Sequence, residues 1–204
     1  MSCTGSTASS VHKVGLVFSG GPAPCANAVI SACALAFLDH GIPVLGFLDG
    51  FSHLESAAPL QKGIHYLDLD TSISSIRNER GIFIRTARAN PCKSIQAKAD
   101  LQDAGKNKKL RQVVDHLKSM GVDLLVTMGG DDTLKTANFL NLLGMPTIHV
   151  PKTIDNDYYG IAWTFGFWTA VDAAKTPLLT LKSDADSTNA YFIVELMGRK
   201  AGWL

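Results

Sequence analysis

Two clusters hold the side chains best suited to chemistry: Gly129-Gly130-Asp131-Asp132-Thr133 and Pro151-Lys152-Thr153-Ile154-Asp155-Asn156-Asp157. Together they supply four carboxylates, one amine and a pair of glycines. Glycine lets a backbone come close to a phosphate. Carboxylates suit magnesium and proton abstraction, and an ammonium stabilises charge building on a transferring phosphoryl group. These residue types predict phosphoryl transfer. Each cluster directly follows a short apolar run, residues 124–128 and 147–150. Such runs read as strands, and open α/β sheets build their sites in the loops at the carboxyl ends of parallel strands.

The rest of the chain supplies the elements that must position these loops. Residues 13–19 read as a buried strand ended by Gly20-Gly21-Pro22-Ala23-Pro24. An Ala-rich helix follows over 27–38, then strands over 44–48 and 64–69. Residues 71–90 are polar and contain Arg77, Arg80, Arg85 and Arg88, which predicts mostly loop. Leu110, Val113, Val114 and Leu117 have helical spacing within 108–120, and Gly121 stands in the C-cap position. A strand over 122–127, a helix over 131–143, a strand over 146–150, a helix over 165–181 and a last strand over 190–196 complete the pattern. This alternation predicts a doubly wound α/β sheet, mostly parallel, with helices on both faces.

Three weaker motifs accompany the two clusters. Gly20 and Gly21, between a strand and a helix, fit a phosphate cradle of backbone N–H groups; they equally fit a tight turn, since the spacing matches neither GxGxxG nor the Walker lysine pattern. Thr86-Ala87-Arg88 offers a planar guanidinium for phosphate or a solvated surface arginine. Met197-Gly198-Arg199 after a strand reads the same two ways. Asp131 and Asp132 also suit the first turn of a helix, where acidic residues are favoured. The alternating acids at Asp155 and Asp157 resemble a calcium loop, but the downstream Gly and Glu of an EF-hand are absent.

Bulk properties narrow the class. The chain has 204 residues, is 46% hydrophobic and 18% charged, and has a net charge of +1. That balance gives no electrostatic case for nucleic acid or an anionic membrane. No apolar run approaches the roughly 20 residues of a membrane-spanning helix. Residues 1–12 read as a disordered tail without the basic and apolar regions of a secretory signal. Cys3, Cys25, Cys33 and Cys92 form no CxxC pair, as expected of free thiols in a reducing cytoplasm.

In order, GGPAP, TAR, GGDDT, PKTIDND and MGRKAGW resemble the phosphofructokinases, from about Lys13 to the end of the chain. The resemblance implies Mg²⁺-dependent transfer of a phosphoryl group to the 1-hydroxyl of fructose 6-phosphate, a glycolytic reaction, by a cytoplasmic homo-oligomer. It also implies the residue roles. Gly20, Gly21, Arg88 and Gly130 bind the donor, and Asp131 binds the metal. Lys152 stabilises the transition state, and Asp155 accepts the hydroxyl proton with support from Asp157. Thr153, Ile154, Asp155, Asp157, Met197, Gly198 and Arg199 bind the sugar phosphate. On this reading residues 13–150 form the donor-binding domain, and 151–204 begin a fructose-6-phosphate-binding domain that the chain does not complete.

Members of this family that use ATP typically have Gly where this chain has Asp132 and Lys152; members that use pyrophosphate have Asp and Lys, as here. A carboxylate at Asp132 would repel the α-phosphate of ATP in a low-dielectric site. The resemblance therefore points to diphosphate as donor. Two departures stand out. Cys25 replaces a usual glycine, at a cost of about 1 kcal/mol if the position needs a positive φ. Ala190 stands where many ATP-dependent members have an arginine that contacts phosphate. Three alternatives stay open: an ATP-dependent enzyme with an unusual donor site, a non-catalytic regulatory subunit, and a lipid or NAD kinase. The last leaves PKTIDND and MGR unexplained.

Overall fold

A six-stranded sheet with order β3-β2-β1-β4-β5-β6 organises the chain. The computed structural model describes residues 11–198 and 200–204. The strands are β1 (Val14–Phe18), β2 (Val44–Phe47), β3 (Tyr66–Leu69), β4 (Leu124–Gly129), β5 (Thr147–Thr153) and β6 (Phe165–Gly166). The helices are α1 (Ala26–Leu38), α2 (Lys108–Ser119), α3 (Asp131–Leu142) and α4 (Phe167–Thr188). All strand pairs are parallel except β2 with β3. The link between those two strands, residues 48–65, folds as turns with no helix. A parallel return needs a crossover, usually helical, so β3 comes back antiparallel.

Side-chain alternation divides the core between the two faces of the sheet. Leu16, Phe18, Val126 and Met128 pack with Ile30 and Ala34 of α1 on one face. Val17, Phe47 and Leu125 pack with Leu110, Val113 and Leu117 of α2 and Leu140 of α3 on the other. Strands covered on both faces read as continuous apolar runs rather than alternating ones. That is why β1 and β4 stand out in the sequence. The helical spacing seen at Leu110, Val113, Val114 and Leu117 is the buried face of α2.

Register brings the functional loops to one edge. Phe18 pairs with Met128, Met128 with Val150 and Lys152 with Phe165. The residues just beyond β1 and β4 and the last residues of β5 therefore emerge side by side.

The expected last strand over 190–196 does not form among the described residues. The segment has no regular secondary structure and belongs to no ladder, and Tyr191 and Ile193 are 99% and 100% exposed. A β-branched, aromatic run has strand propensity, but a strand exists only where a neighbour takes its backbone bonds and a layer covers one face. Here α4 buries only Phe167 at its start, and nothing brings 190–196 to the sheet. Helix α4 also runs to Thr188, through Pro177, beyond the expected end at 181.

Candidate active site

Lys152 lies at the centre of the loop edge. It is 5% exposed, and its ammonium donates a hydrogen bond to the Gly21 carbonyl oxygen. The same Nζ sits 5.6 Å from the centroid of the Phe18 ring, within cation–π range. A Cβ added at Gly20 would lie 3.6 Å from Nζ, and Gly20 has a φ of +95°. Glycine meets both demands there: a backbone conformation other residues adopt at a cost, and space beside a cation. Burial pushes the Lys152 amine below its usual range; nearby Asp155 opposes the shift and the Arg88 guanidinium adds to it. Arg88, Lys152 and Asp155 thus share one electrostatic neighbourhood.

Hydrogen bonds dock the Arg88 loop onto this edge. The Gly20 N–H donates to the Ala87 carbonyl (2.9 Å), and the Thr86 hydroxyl to the Gly20 carbonyl (2.8 Å). Farther back, Asn27 of α1 secures the same loop: its Oδ1 accepts from the Phe83 N–H (2.6 Å), and its Nδ2 donates to the Glu79 carbonyl (3.2 Å). Asn27 is 4% exposed. Its role was not legible in the sequence, where it read as the first residue of an Ala-rich helix.

The second cluster opens α3. Gly129 ends β4 so close to Thr133 that an added Cβ would fall 2.3 Å from its Oγ1. Only glycine lets the helix start this near the strand. Thr133 and Leu134 donate their N–H groups to the Gly130 carbonyl (2.9 and 3.0 Å). Asp131 and Asp132 occupy the exposed first turn, where the positive helix end favours negative charge. Burial raises the pKa of the Cys92 thiol, and the Asp132 charge adds a smaller push in the same direction.

Beyond Lys152 the segment 153–157 is tightly held. The Thr153 hydroxyl accepts from the Asp155 N–H (3.0 Å), and the Thr164 hydroxyl donates to the Thr153 carbonyl (2.8 Å). Asn156, at a φ of +51°, accepts from the Thr164 N–H (2.9 Å) and donates to the Ala162 carbonyl (3.1 Å). This arrangement leaves Asp155 7% exposed, with Ile154 and Asp157 half-buried on either side.

A buried polar chain joins the two clusters. The Thr127 hydroxyl and His149 Nδ1 are 2.9 Å apart, and His149 Nε2 and the Tyr158 hydroxyl 3.1 Å. That hydroxyl donates to the Gly129 carbonyl (2.7 Å). Burial, with the charges of Asp131 and Asp157, raises the Tyr158 pKa and keeps the phenol protonated. Burial lowers His149 to about 4. Neither residue was singled out in the sequence. The available signal was a histidine inside the apolar run 147–150.

Four of the five motifs therefore meet at one edge: Gly20 and Gly21; Arg88; Gly130, Asp131 and Asp132; and Lys152 to Asp157. The fifth does not join them through the sheet. Met197 is 74% exposed and Gly198 is buried, both beyond the unpaired segment. Arg199 lies outside the described residues.

Among the described residues no group of three or more His, Cys, Asp or Glu side chains forms a metal cage. One exposed carboxylate beside a glycine-lined edge is nonetheless what Mg²⁺ uses when substrate phosphates complete its shell. Asp131 fits that role.

Fold and site together define a doubly wound α/β protein with glycine-lined loops at the carboxyl edge of its sheet. The family model described as Phosphofructokinase matches residues 13–204, and the chain belongs to that family. It is 40% identical to a pyrophosphate–fructose 6-phosphate 1-phosphotransferase of Naegleria fowleri, over 97% of this chain and 43% of that protein. It is 37% identical to ATP-dependent 6-phosphofructokinase 3 of Streptomyces coelicolor, over 94% of this chain and 51% of that protein. The fold matches the phosphofructokinase structure from Saccharomyces cerevisiae with a TM-score of 0.78 and 23% identity, over 94% of this chain and 26% of that one. The chain spans about half the length of the curated relatives it matches.

Proposed function

We propose that this chain contains the donor site and the acceptor base of a diphosphate–fructose-6-phosphate 1-phosphotransferase. The observation that carries the donor assignment is Lys152, buried against Gly20 and Gly21, together with Asp132 in the first turn of α3. A relative of each donor type lies at 40% and 37% identity, so overall similarity does not choose between them. The chemistry of these two positions favours pyrophosphate. Lys152 places positive charge where a short, nucleotide-free donor would bring its phosphates, and the Asp132 carboxylate opposes the α-phosphate of ATP.

The reaction follows from the arrangement. Asp155 accepts the proton of the fructose 6-phosphate 1-hydroxyl, and that oxygen forms a bond to one phosphorus of diphosphate. The bridging P–O bond breaks, giving fructose 1,6-bisphosphate and phosphate. Lys152 and Arg88 balance charge on the transferring group, and the Gly20–Gly21 and Gly130 backbones let it approach. Asp131 would hold Mg²⁺, which would supply further charge neutralisation. Thr153, Ile154 and Asp157 line the sugar side, with Met197, Gly198 and Arg199 as sugar-phosphate ligands. Residues 13–150 serve the donor and 151–204 begin the acceptor domain, within a cytoplasmic homo-oligomer. No helix among the described residues is long and apolar enough to cross a membrane.

Product formation from fructose 6-phosphate and Mg²⁺ with diphosphate or ATP as donor tests this reading, on this chain and on one extended to the length of its relatives. Turnover with diphosphate alone is expected. Turnover with ATP alone would reject the donor assignment, and silence from both chains would favour a non-catalytic role.

A further inference from the structure

The polar chain from Thr127 to Gly129 is built from residues that the proposed chemistry does not use. Its members come from three places: Thr127 from β4, His149 from β5, and Tyr158 from the residue after Asp157. Its last bond returns to Gly129, the residue before the donor loop. Donor inventory fixes its direction. The Tyr158 hydrogen goes to the Gly129 carbonyl, so the Tyr158 oxygen accepts from His149 Nε2–H. His149 Nδ1 then has no hydrogen and accepts from the Thr127 hydroxyl. One proton arrangement of a neutral imidazole satisfies these three bonds, with the Ile148 carbonyl a longer second neighbour of the Thr127 hydroxyl (3.5 Å).

We infer that Tyr158 is a positioning residue, whose hydroxyl latches the acceptor segment to the Gly129–Gly130 peptide and so fixes the first turn of α3. Gly129 is held in the β4–β5 ladder opposite Pro151, so the latch acts on the turn that begins at Gly130. Gly130 has no side chain, and as the α3 cap it has no side-chain hydrogen bond. Such a glycine would otherwise sample many conformations. Tyr158 is 7% exposed, and a hydrogen bond in so dry a place is strong, while an unmet carbonyl there is expensive. Because Tyr158 follows Asp157 directly, the same bond ties the carboxylate side of the acceptor loop to the metal side of the donor loop. His149 holds the phenol by donating to its oxygen, and the Thr127 hydroxyl holds the imidazole in place at Nδ1. The inference rests on the reading that Asp131 and Gly130 serve the donor, but the latch can be measured without it.

The experiment is amide hydrogen exchange on the full chain, followed by calorimetric titration with Mg²⁺–pyrophosphate. The reporters are the Thr133 and Leu134 amides, which close on the Gly130 carbonyl; the β1 amides report global opening. Tyr158→Phe should speed exchange at Thr133 and Leu134 about tenfold or more, leave β1 unchanged, and weaken Mg²⁺–pyrophosphate binding by a similar factor. Should Tyr158→Phe not fold, His149 variants read the same latch. His149→Leu should speed exchange, and His149→Gln, which can still donate to the Tyr158 oxygen, should restore slow exchange. Unchanged exchange at Thr133 and Leu134, or equal acceleration in β1, would overturn the latch. If wild type fails to bind Mg²⁺–pyrophosphate while Tyr158→Phe still loosens the turn, the latch stands and the donor assignment falls.

Discussion

Lys152 on β5 and Gly21 beyond β1 are joined directly, ammonium to carbonyl, across the end of the intervening strand β4. This one contact places the cation of the 151–157 segment against the loop that follows β1. It also makes the charge separable from the fold: the lysine stem is buried beside Phe18, and its head alone faces the site.

Lys152→Met keeps much of that stem and removes the charge. The variant should fold, with a melting temperature close to wild type, because desolvating the ammonium is itself unfavourable. Turnover with diphosphate should fall by about 10²–10³-fold, the range for losing one preorganised charge partner in a transition state. Steady-state kinetics beside a thermal melt checks both halves.

Asp132→Gly removes the carboxylate from the first turn of α3 without touching the core, since Asp132 is exposed. ATP turnover relative to diphosphate should rise by about tenfold or more, as expected when a like-charge conflict worth over 1 kcal/mol is relieved. An unchanged donor ratio would remove Asp132 from the specificity argument.

Cys25 caps α1 at a φ of +66°, in the left-handed region that costs a residue with a Cβ about 1 kcal/mol. Cys25→Gly should raise the melting temperature by about 2–4 °C in a chain of this size. The gain is limited by the greater freedom of glycine when unfolded. Differential scanning calorimetry at fixed pH measures it.

His149 provides a pH signature. Its folded pKa is about 4, against 6.5 for the ordinary side chain, so the unfolded chain binds the extra proton between those values. Its contribution is therefore full above about pH 6.5 and is lost as the pH falls towards 4. The slope is up to about 1.4 kcal/mol per pH unit, reduced by partial solvent access. Urea melts from pH 7 to 4 should show a shallower decline in His149→Gln than in wild type.

The sequence was most readable where one physical demand dominated. β1, α2 and β4 are apolar on the surfaces they bury, and their periods gave them away within two or three residues. The glycine- and carboxylate-bearing loops were legible as loops at the strand ends because glycine and carboxylate placed together have few uses. The restraints around those loops were hidden. Asn27, Tyr158 and His149 act through partners that are distant in sequence or lie across a turn, and no periodicity encodes such a contact. The segment 190–196 misled for the opposite reason: its composition suits a strand, but strand formation also requires a neighbour. The positive φ of Cys25 followed from the glycine expected there.

The strand order has a consequence for synthesis. β1 is made first but is flanked by β2 and β4, and β4 begins only at Leu124. During translation the central strand therefore has one open edge until the chain has been extended past Gly129. The cradle at Gly20 and Gly21 cannot reach its final shape until Lys152 has also left the ribosome. Folding led by long-range parallel pairing is slow and leaves unpaired edges exposed. The Gly20–Gly21 loop is thus made well before the residues that complete it.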